Sequence, residues 1–274
     1  MFQEEGTKIL ILLPPWTEFL LIRLERKFAS LEENSKKALV AYLVAGDPDI
    51  STTLELMHQF VLSGVDIIEL GVPFTDPIAE GPIIQAAHDR ALQANTSLDM
   101  IFSLVEEFRS KDSETPVILM GYINTFLANS KALDSIHERG TDAVLIVDVP
   151  GESSLEDIGI QNKNISSISL ISPTTDNDRI QKICMSSSGF IYYVTLRGVT
   201  GASNLNEDEI QTNILNIRNS TNLPVLAGFG IKTVSDAQAL SEISDGVVIG
   251  SVLVEMIHQE SENKDYKKIY NYLN

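Results

Sequence analysis

Beyond Ala38 the sequence alternates between short, nearly continuous apolar runs and longer stretches in which apolar residues return every three or four positions. The runs have strand length and are rich in Val, Ile and Leu, and the stretches carry the period of helices with one buried face. Strands are predicted over residues 38–45, 65–71, 116–122, 143–149, 166–171, 190–196, 224–228 and 246–250. Helices are predicted between them, including 52–63, 83–94, 98–110, 176–186, 207–219 and 234–240. Strands with no polar face belong to parallel sheets covered by helices. Eight such strands separated by helices spell an α/β fold of the closed (β/α)8 TIM-barrel kind. A doubly wound open sheet is the alternative that the same pattern allows.

Ahead of the first strand, Leu20, Leu24, Phe28 and Leu31 recur at helical spacing with Arg and Glu between them, so an N-terminal amphipathic helix is expected over 19–31. Ile9 to Leu13 is apolar but short, follows Glu4 and Glu5, and is broken by Pro14-Pro15, unlike the basic start of a signal peptide. Residues 1–18 are therefore read as a loosely ordered extension and 19–274 as one barrel domain, since no shift in composition divides the rest.

Composition changes this picture only at its edges. A hydrophobic fraction of 43% with 21% charged residues is that of a soluble globular enzyme, and no segment approaches a membrane span. The formal charge of -18 argues against nucleic acid and anionic membranes as partners. It also means that a phosphorylated substrate would be held by backbone N–H groups and helix N-termini rather than by lysines. The single cysteine, Cys184, cannot form an internal disulfide, and a cytoplasmic location is expected.

In a barrel of this kind the chemistry sits in the loops after the strands. The second strand runs into Glu69-Leu-Gly-Val-Pro-Phe-Thr-Asp-Pro-Ile-Ala-Glu-Gly-Pro, three carboxylates among prolines and glycines. Glu69 is ionisable inside an apolar run, and burial raises a carboxyl pKa toward the working range, which makes it a candidate general acid and base. Gly201, Gly230 and Gly250, with Ser251 opening a helix, follow the sixth, seventh and eighth strands and would let main-chain amides approach a phosphate. Taken singly, each is equally a turn glycine. The histidines His58, His88, His137 and His258 all fall on predicted helices without metal-ligand spacing and are read as surface or packing residues; no metal site and no Walker, Rossmann or zinc motif is present.

Gly46-Asp47-Pro48-Asp49, the long motif from Glu69, Gly198-Val-Thr-Gly-Ala, Gly228-Phe-Gly-Ile and Gly250-Ser251 resemble, in order and spacing, the motifs of the tryptophan synthase alpha chain family. The resemblance runs from about Leu24 to the C-terminus. It implies a lyase that splits indole-3-glycerol phosphate into indole and glyceraldehyde 3-phosphate within an alpha2beta2 complex. It implies no cofactor in this chain, and a beta-chain partner that holds pyridoxal phosphate and receives the indole through a tunnel. Glu69 matches the family's catalytic glutamate. Glu80 falls where the family most often has aspartate, a position that handles the indole N–H; the extra methylene displaces the carboxylate by roughly 1 to 1.5 Å unless the loop compensates, and misplacement of that order can cost about 10²-fold in rate. Tyr42, Tyr192 and Phe229 resemble residues lining the indole pocket, and Thr200 the lid residue that closes over substrate. Tyr122 also follows the family pattern and by that resemblance is expected among the residues of the indole pocket; Asn124 follows the pattern too, whereas Thr125 stands where proline is common. Asp76 is read as a solvated loop charge or a partner contact. Glu80 also motivates a second reading, a catalytically weakened chain acting mainly as activator of the beta chain. Another sugar-phosphate barrel, an epimerase or isomerase, would require the Glu69 motif to be coincidental.

Overall fold

All eight predicted strands form, and they hydrogen-bond in chain order into a closed parallel barrel: β1 (Ala38–Val44), β2 (Ile67–Gly71), β3 (Val117–Gly121), β4 (Ala143–Ile146), β5 (Ser166–Ile171), β6 (Ile191–Val194), β7 (Val225–Gly228) and β8 (Gly246–Ile249), with β8 pairing back onto β1. Closure excludes the open sheet. The computed structural model describes residues 22–128, 136–161, 164–194, 207–228, 231 and 233–273. The 1–18 extension and the expected site residues Thr200, Gly201, Phe229 and Gly230 lie outside them.

Around the barrel run α1 (Arg23–Glu33), α2 (Ile50–Leu62), α3 (Pro82–Gln93), α4 (Leu98–Arg109), the short α5 (Ile123–Leu127), α6 (Asn177–Ser186), α7 (Glu207–Arg218), α8 (Val234–Ile243), α9 (Ser251–Glu260) and α10 (Lys267–Leu273). Their starts follow local chemistry. Asp49 accepts the Thr52 N–H at 2.7 Å, which begins α2 ahead of the predicted Thr52. Thr233 and Asp236 form a reciprocal capping box on α8, and Pro82 occupies the first turn of α3, where its missing N–H costs nothing. Two strand predictions are too long for visible reasons. Val65 bonds back to the Phe60 carbonyl to close α2, so β2 starts at Ile67. Beyond Ile146 the chain turns, and Asp148 accepts the Ile123 N–H at 2.8 Å. His137 lies in a turn at 136–140 rather than on the predicted helix; Gly140, at φ +101°, closes that turn. No helix among the described residues is long and apolar enough to cross a membrane.

Strand alternation sorts the side chains into two apolar layers. Ala41, Leu43, Ile68, Leu70, Val117 and Leu119 point outward to the helices. Val40, Tyr42, Ile67, Ile118, Leu145 and Leu226 point inward and fill the barrel. Leu24 and Leu31 of α1 join the inward cluster, and Phe28 meets Phe190 edge-on at 5.8 Å, so α1 plugs the N-terminal mouth. The plug is held electrostatically as well. Fully buried Asp142, just before β4, accepts from Arg23, from Arg109 at 2.9 Å and from the Val117 N–H at 2.8 Å. Arg109 spends its other donors on the carbonyls of Thr115 and Gly140.

Removing that carboxylate would strand two guanidinium groups. Asp142→Ala is expected to lower unfolding free energy by about 3 kcal/mol, read from the denaturant midpoint. A loss under about 1 kcal/mol would show that water satisfies the arginines equally well.

Candidate active site

Inward alternation along β2 places Ile67, Glu69 and Gly71 on the barrel interior, and Glu69 lies in register with Tyr42 on β1 and Ile118 on β3. Its carboxyl group is the acidic wall of a cavity of about 300 Å³ at the C-terminal mouth, the lower end of the range for small-molecule sites. Glu80 to Ile84, Tyr42, Tyr192, Met120, Ile231, Val248, Gly250 and Ser251 complete the lining. Two carboxylates therefore face one largely apolar space.

Burial sets their chemistry. Glu69 is 1% exposed and its Oε1 has no partner among the described residues; desolvation, followed by the nearby charge of Glu80, raises its pKa to about 8. Desolvation raises Glu80 to about 7. Both are thus poised near neutrality, where proton transfer is most effective. Burial also holds the phenols of Tyr42 and Tyr192 well above their ordinary range, so both remain neutral donors.

The tyrosines reach their positions because glycines make room. A Cβ at Gly71 would lie 2.2 Å from the Tyr42 hydroxyl, and one at Gly228 would lie 2.4 Å from that of Tyr192. Each ring leans across the neighbouring strand onto a glycine, where any side chain would have to displace the hydroxyl. The ring of Tyr42 also lies against Gly250, where a Cβ would come within 3.4 Å.

Glu80 comes from the loop between β2 and α3, and that loop is braced at several points. Phe74 stacks on Tyr122 with ring centroids 4.9 Å apart, and the Tyr122 hydroxyl accepts the Ala79 N–H at 3.0 Å. Gln85 donates to the Glu80 carbonyl at 2.8 Å, and the Glu80 N–H donates to Pro77 at 3.0 Å. Tyr122 therefore does not line the cavity as expected; it supports the backbone that aims Glu80. The longer glutamate side chain still delivers its carboxylate to the cavity wall.

Gly250 caps α9 and Ser251 is its first residue, and both line the cavity, so the first turn of that helix, whose N–H groups have no partner within the helix and carry partial positive charge, borders it. Of the expected phosphate cradle, Gly250 and Ser251 stand there, while Gly201 and Gly230 are among the undescribed residues, as are Thr200 and Phe229. Asp76 and Asn124 are exposed and away from the cavity. Asp47 is buried and receives two 2.7 Å bonds from Arg90, and Gly46, at φ +86°, presses on Thr96; the first-loop motif thus locks a turn. Among the described residues no group of three or more His, Cys, Asp or Glu is placed to hold a metal ion.

One polar residue behind the site was missed by sequence reasoning. His88, read as surface or packing, is 1% exposed and accepts the Phe74 N–H at 3.0 Å. Its spacing from Ile84 and Ala91 puts it on the buried face of α3, the signal that could have separated it from the other histidines.

A family model described as tryptophan synthase alpha chain matches residues 28–274. The chain belongs to that family. It is 45% identical to the tryptophan synthase alpha chain of Nitrosococcus oceani over 240 residues, 86% of this chain and 89% of the relative. It is 42% identical to that of Marinobacter nauticus over 246 residues, 89% and 91% of the two chains. Among solved structures, tryptophan synthase subunit alpha from Legionella pneumophila superposes with a TM-score of 0.83 at 36% identity, covering 92% of this chain and 96% of that one. A tryptophan synthase a2b2 complex from Pyrococcus furiosus contains a chain that matches with a TM-score of 0.77 at 32% identity, covering 86% and 96%.

For this alpha-chain family member, the raised pKa of Glu69 has a thermodynamic consequence. The folded state keeps a proton that the unfolded chain releases near 4.5, so stability falls as pH rises from about 4.5 to about 8. Glu69→Gln removes that titration. The variant is expected to melt a few degrees above the parent at pH 8 to 9, with the gap closing toward pH 5. A gap that does not change with pH would contradict the assigned protonation.

Proposed function

We propose that the chain cleaves indole-3-glycerol phosphate to indole and glyceraldehyde 3-phosphate, as the alpha subunit of tryptophan synthase. The observation that carries this reading is that Glu69 and Glu80 line one largely apolar cavity bordered by the N-terminus of α9. A lyase role in tryptophan synthase accords with family membership.

The chemistry needs a proton on C3 of the indole ring and removal of one from the side-chain hydroxyl next to it. Protonated Glu69 gives the first proton while ionised Glu80 takes up the developing charge at the indole N–H. As the carbon–carbon bond breaks, the hydroxyl proton passes to the Glu69 carboxylate, the bonding electrons return to the ring, and both acids regain their starting states. The N–H groups of α9 hold the phosphate. Acid–base work suffices, so no cofactor is assigned to this chain; pyridoxal phosphate belongs to the beta-chain partner. The retained carboxylate of Glu80 favours the lyase over the weakened, activator-only reading.

Activity should report both acids. kcat/KM for cleavage is expected to rise through about pH 7 as Glu80 ionises and fall through about pH 8 as Glu69 loses its proton, a narrow bell. Glu69→Gln should remove at least about 10²-fold of the rate while leaving beta-chain binding intact. Substantial turnover by that variant would reject the role given to Glu69.

The partner surface is expected on the same rim. Ile78, 85% exposed in the Glu80 loop after β2, and Leu127, 44% exposed at the end of α5 after the neighbouring β3, present apolar surface. Ile78→Asp should weaken association with the beta chain roughly tenfold or more by titration calorimetry, with the melting temperature unchanged. Unaltered affinity would move the interface elsewhere.

A further inference from the structure

We propose that His88 is a positioning residue: it fixes the hydroxyl of Tyr42 as a hydrogen-bond donor into the cavity and moors the loop that carries Glu80. The inference deepens the lyase reading and rests on it for its catalytic half.

His88 sits in α3, which follows the Glu80 loop, yet it reaches back to the start of that loop. The Phe74 N–H lies 3.0 Å from Nδ1, and a backbone amide can only donate. Nδ1 must therefore carry a bare lone pair, and in a neutral imidazole the proton is then on Nε2. Burial keeps the ring neutral by pulling its pKa down to about 4, with Asp89 opposing weakly, so this tautomer persists across the range in which the two carboxylates titrate.

Nε2 lies 3.5 Å from the Tyr42 hydroxyl. Since Nε2 carries the hydrogen, the phenol oxygen is the acceptor, and its own hydrogen must turn away from His88. The choices left are few. The ring is trapped between Gly250 and Gly71, and the hydroxyl presses on Gly71, so the open direction is the cavity that Tyr42 lines. Tyr42 lines the same cavity as Glu69 and Glu80, and both acids act electrostatically on its hydroxyl. One imidazole thus sets the polarity of a phenol on β1 and the anchorage of a loop after β2. A purely packing histidine would do neither.

Nitrogen-detected NMR of histidine in the complete, unliganded protein tests the tautomer without substrate. His88 should show an unprotonated Nδ1 and a protonated Nε2, unchanged from pH 6 to 8. A protonated Nδ1, or an imidazolium in that range, overturns the proposal. Kinetics test the coupling. His88→Asn retains an acceptor for Phe74 but loses the donor to Tyr42, so it should melt within about two degrees of the parent. Tyr42→Phe and His88→Asn should each lower kcat/KM for cleavage by roughly tenfold, the effect of one hydrogen bond. The double variant should be no worse than the weaker single by more than about twofold. Multiplying losses would show that His88 acts independently of Tyr42 and would overturn the proposal. If the Nε2–H tautomer is found but no cleavage occurs in the parent, it is the lyase reading that fails, and the catalytic half of this one with it.

Discussion

Holding a carboxyl group dry in the mouth of the barrel is the constraint around which the remaining structure is arranged. Glu69 occupies an inward position that its strand neighbours fill with Ile67 and Gly71, and beneath it the interior is Val40, Ile118, Leu145 and Leu226. Such a site favours the protonated acid because there is nothing to solvate the anion. A cation would cancel the effect, and none lines the cavity among the described residues. Arg90 of α3, the helix after the Glu80 loop, is committed to Asp47. Apolar surroundings, an absent counter-charge and a second acid at Glu80 all push in one direction.

The two ends of the barrel divide the labour. At the N-terminal mouth, Asp142 has three donors, and α1 covers the opening with Leu24 and Leu31. At the C-terminal mouth, Glu69 Oε1 has no partner among the described residues, and α9 starts at Gly250 without a side-chain cap. Polar satisfaction at one end supports the strand frame that tolerates its lack at the other, the arrangement expected where conserving fold and performing chemistry fall to opposite faces of the same strands. The tyrosine-on-glycine contacts belong to the second face. They trade side-chain packing at Gly71 and Gly228 for room for the two tyrosine hydroxyls.

The barrel was legible because its strands are apolar on both faces and its helices on one, so a single period count separates them. Ends were less legible: Asp49 extends α2 backward by a side-chain bond, and Asp148 helps draw the chain out of β4, neither of which periodicity encodes. Glu69 stood out as a charge in an apolar run. Tyr122 did not behave as expected because strand-end position alone cannot tell a side chain that faces the cavity from one that turns to receive the Ala79 N–H. His88 was passed over for a related reason. Its role comes from a contact to Phe74, fourteen residues earlier, and only the folded loop brings the two together.

The acidity of the chain fits the same logic. A formal charge of -18 should repel an anionic substrate at long range, yet that field decays over about 8 Å at physiological ionic strength. Recognition can therefore be left to groups in contact with the ligand. A lysine on the cavity wall would hold a phosphate, but in a low-dielectric space it would also stabilise the Glu69 carboxylate and lower the pKa that acid catalysis requires. The helix terminus at Gly250 and Ser251 offers partial charges whose influence fades within one turn. Gripping an anion with main-chain dipoles is thus the way to bind a phosphate and keep, in the same small cavity, a glutamic acid that stays protonated at neutral pH.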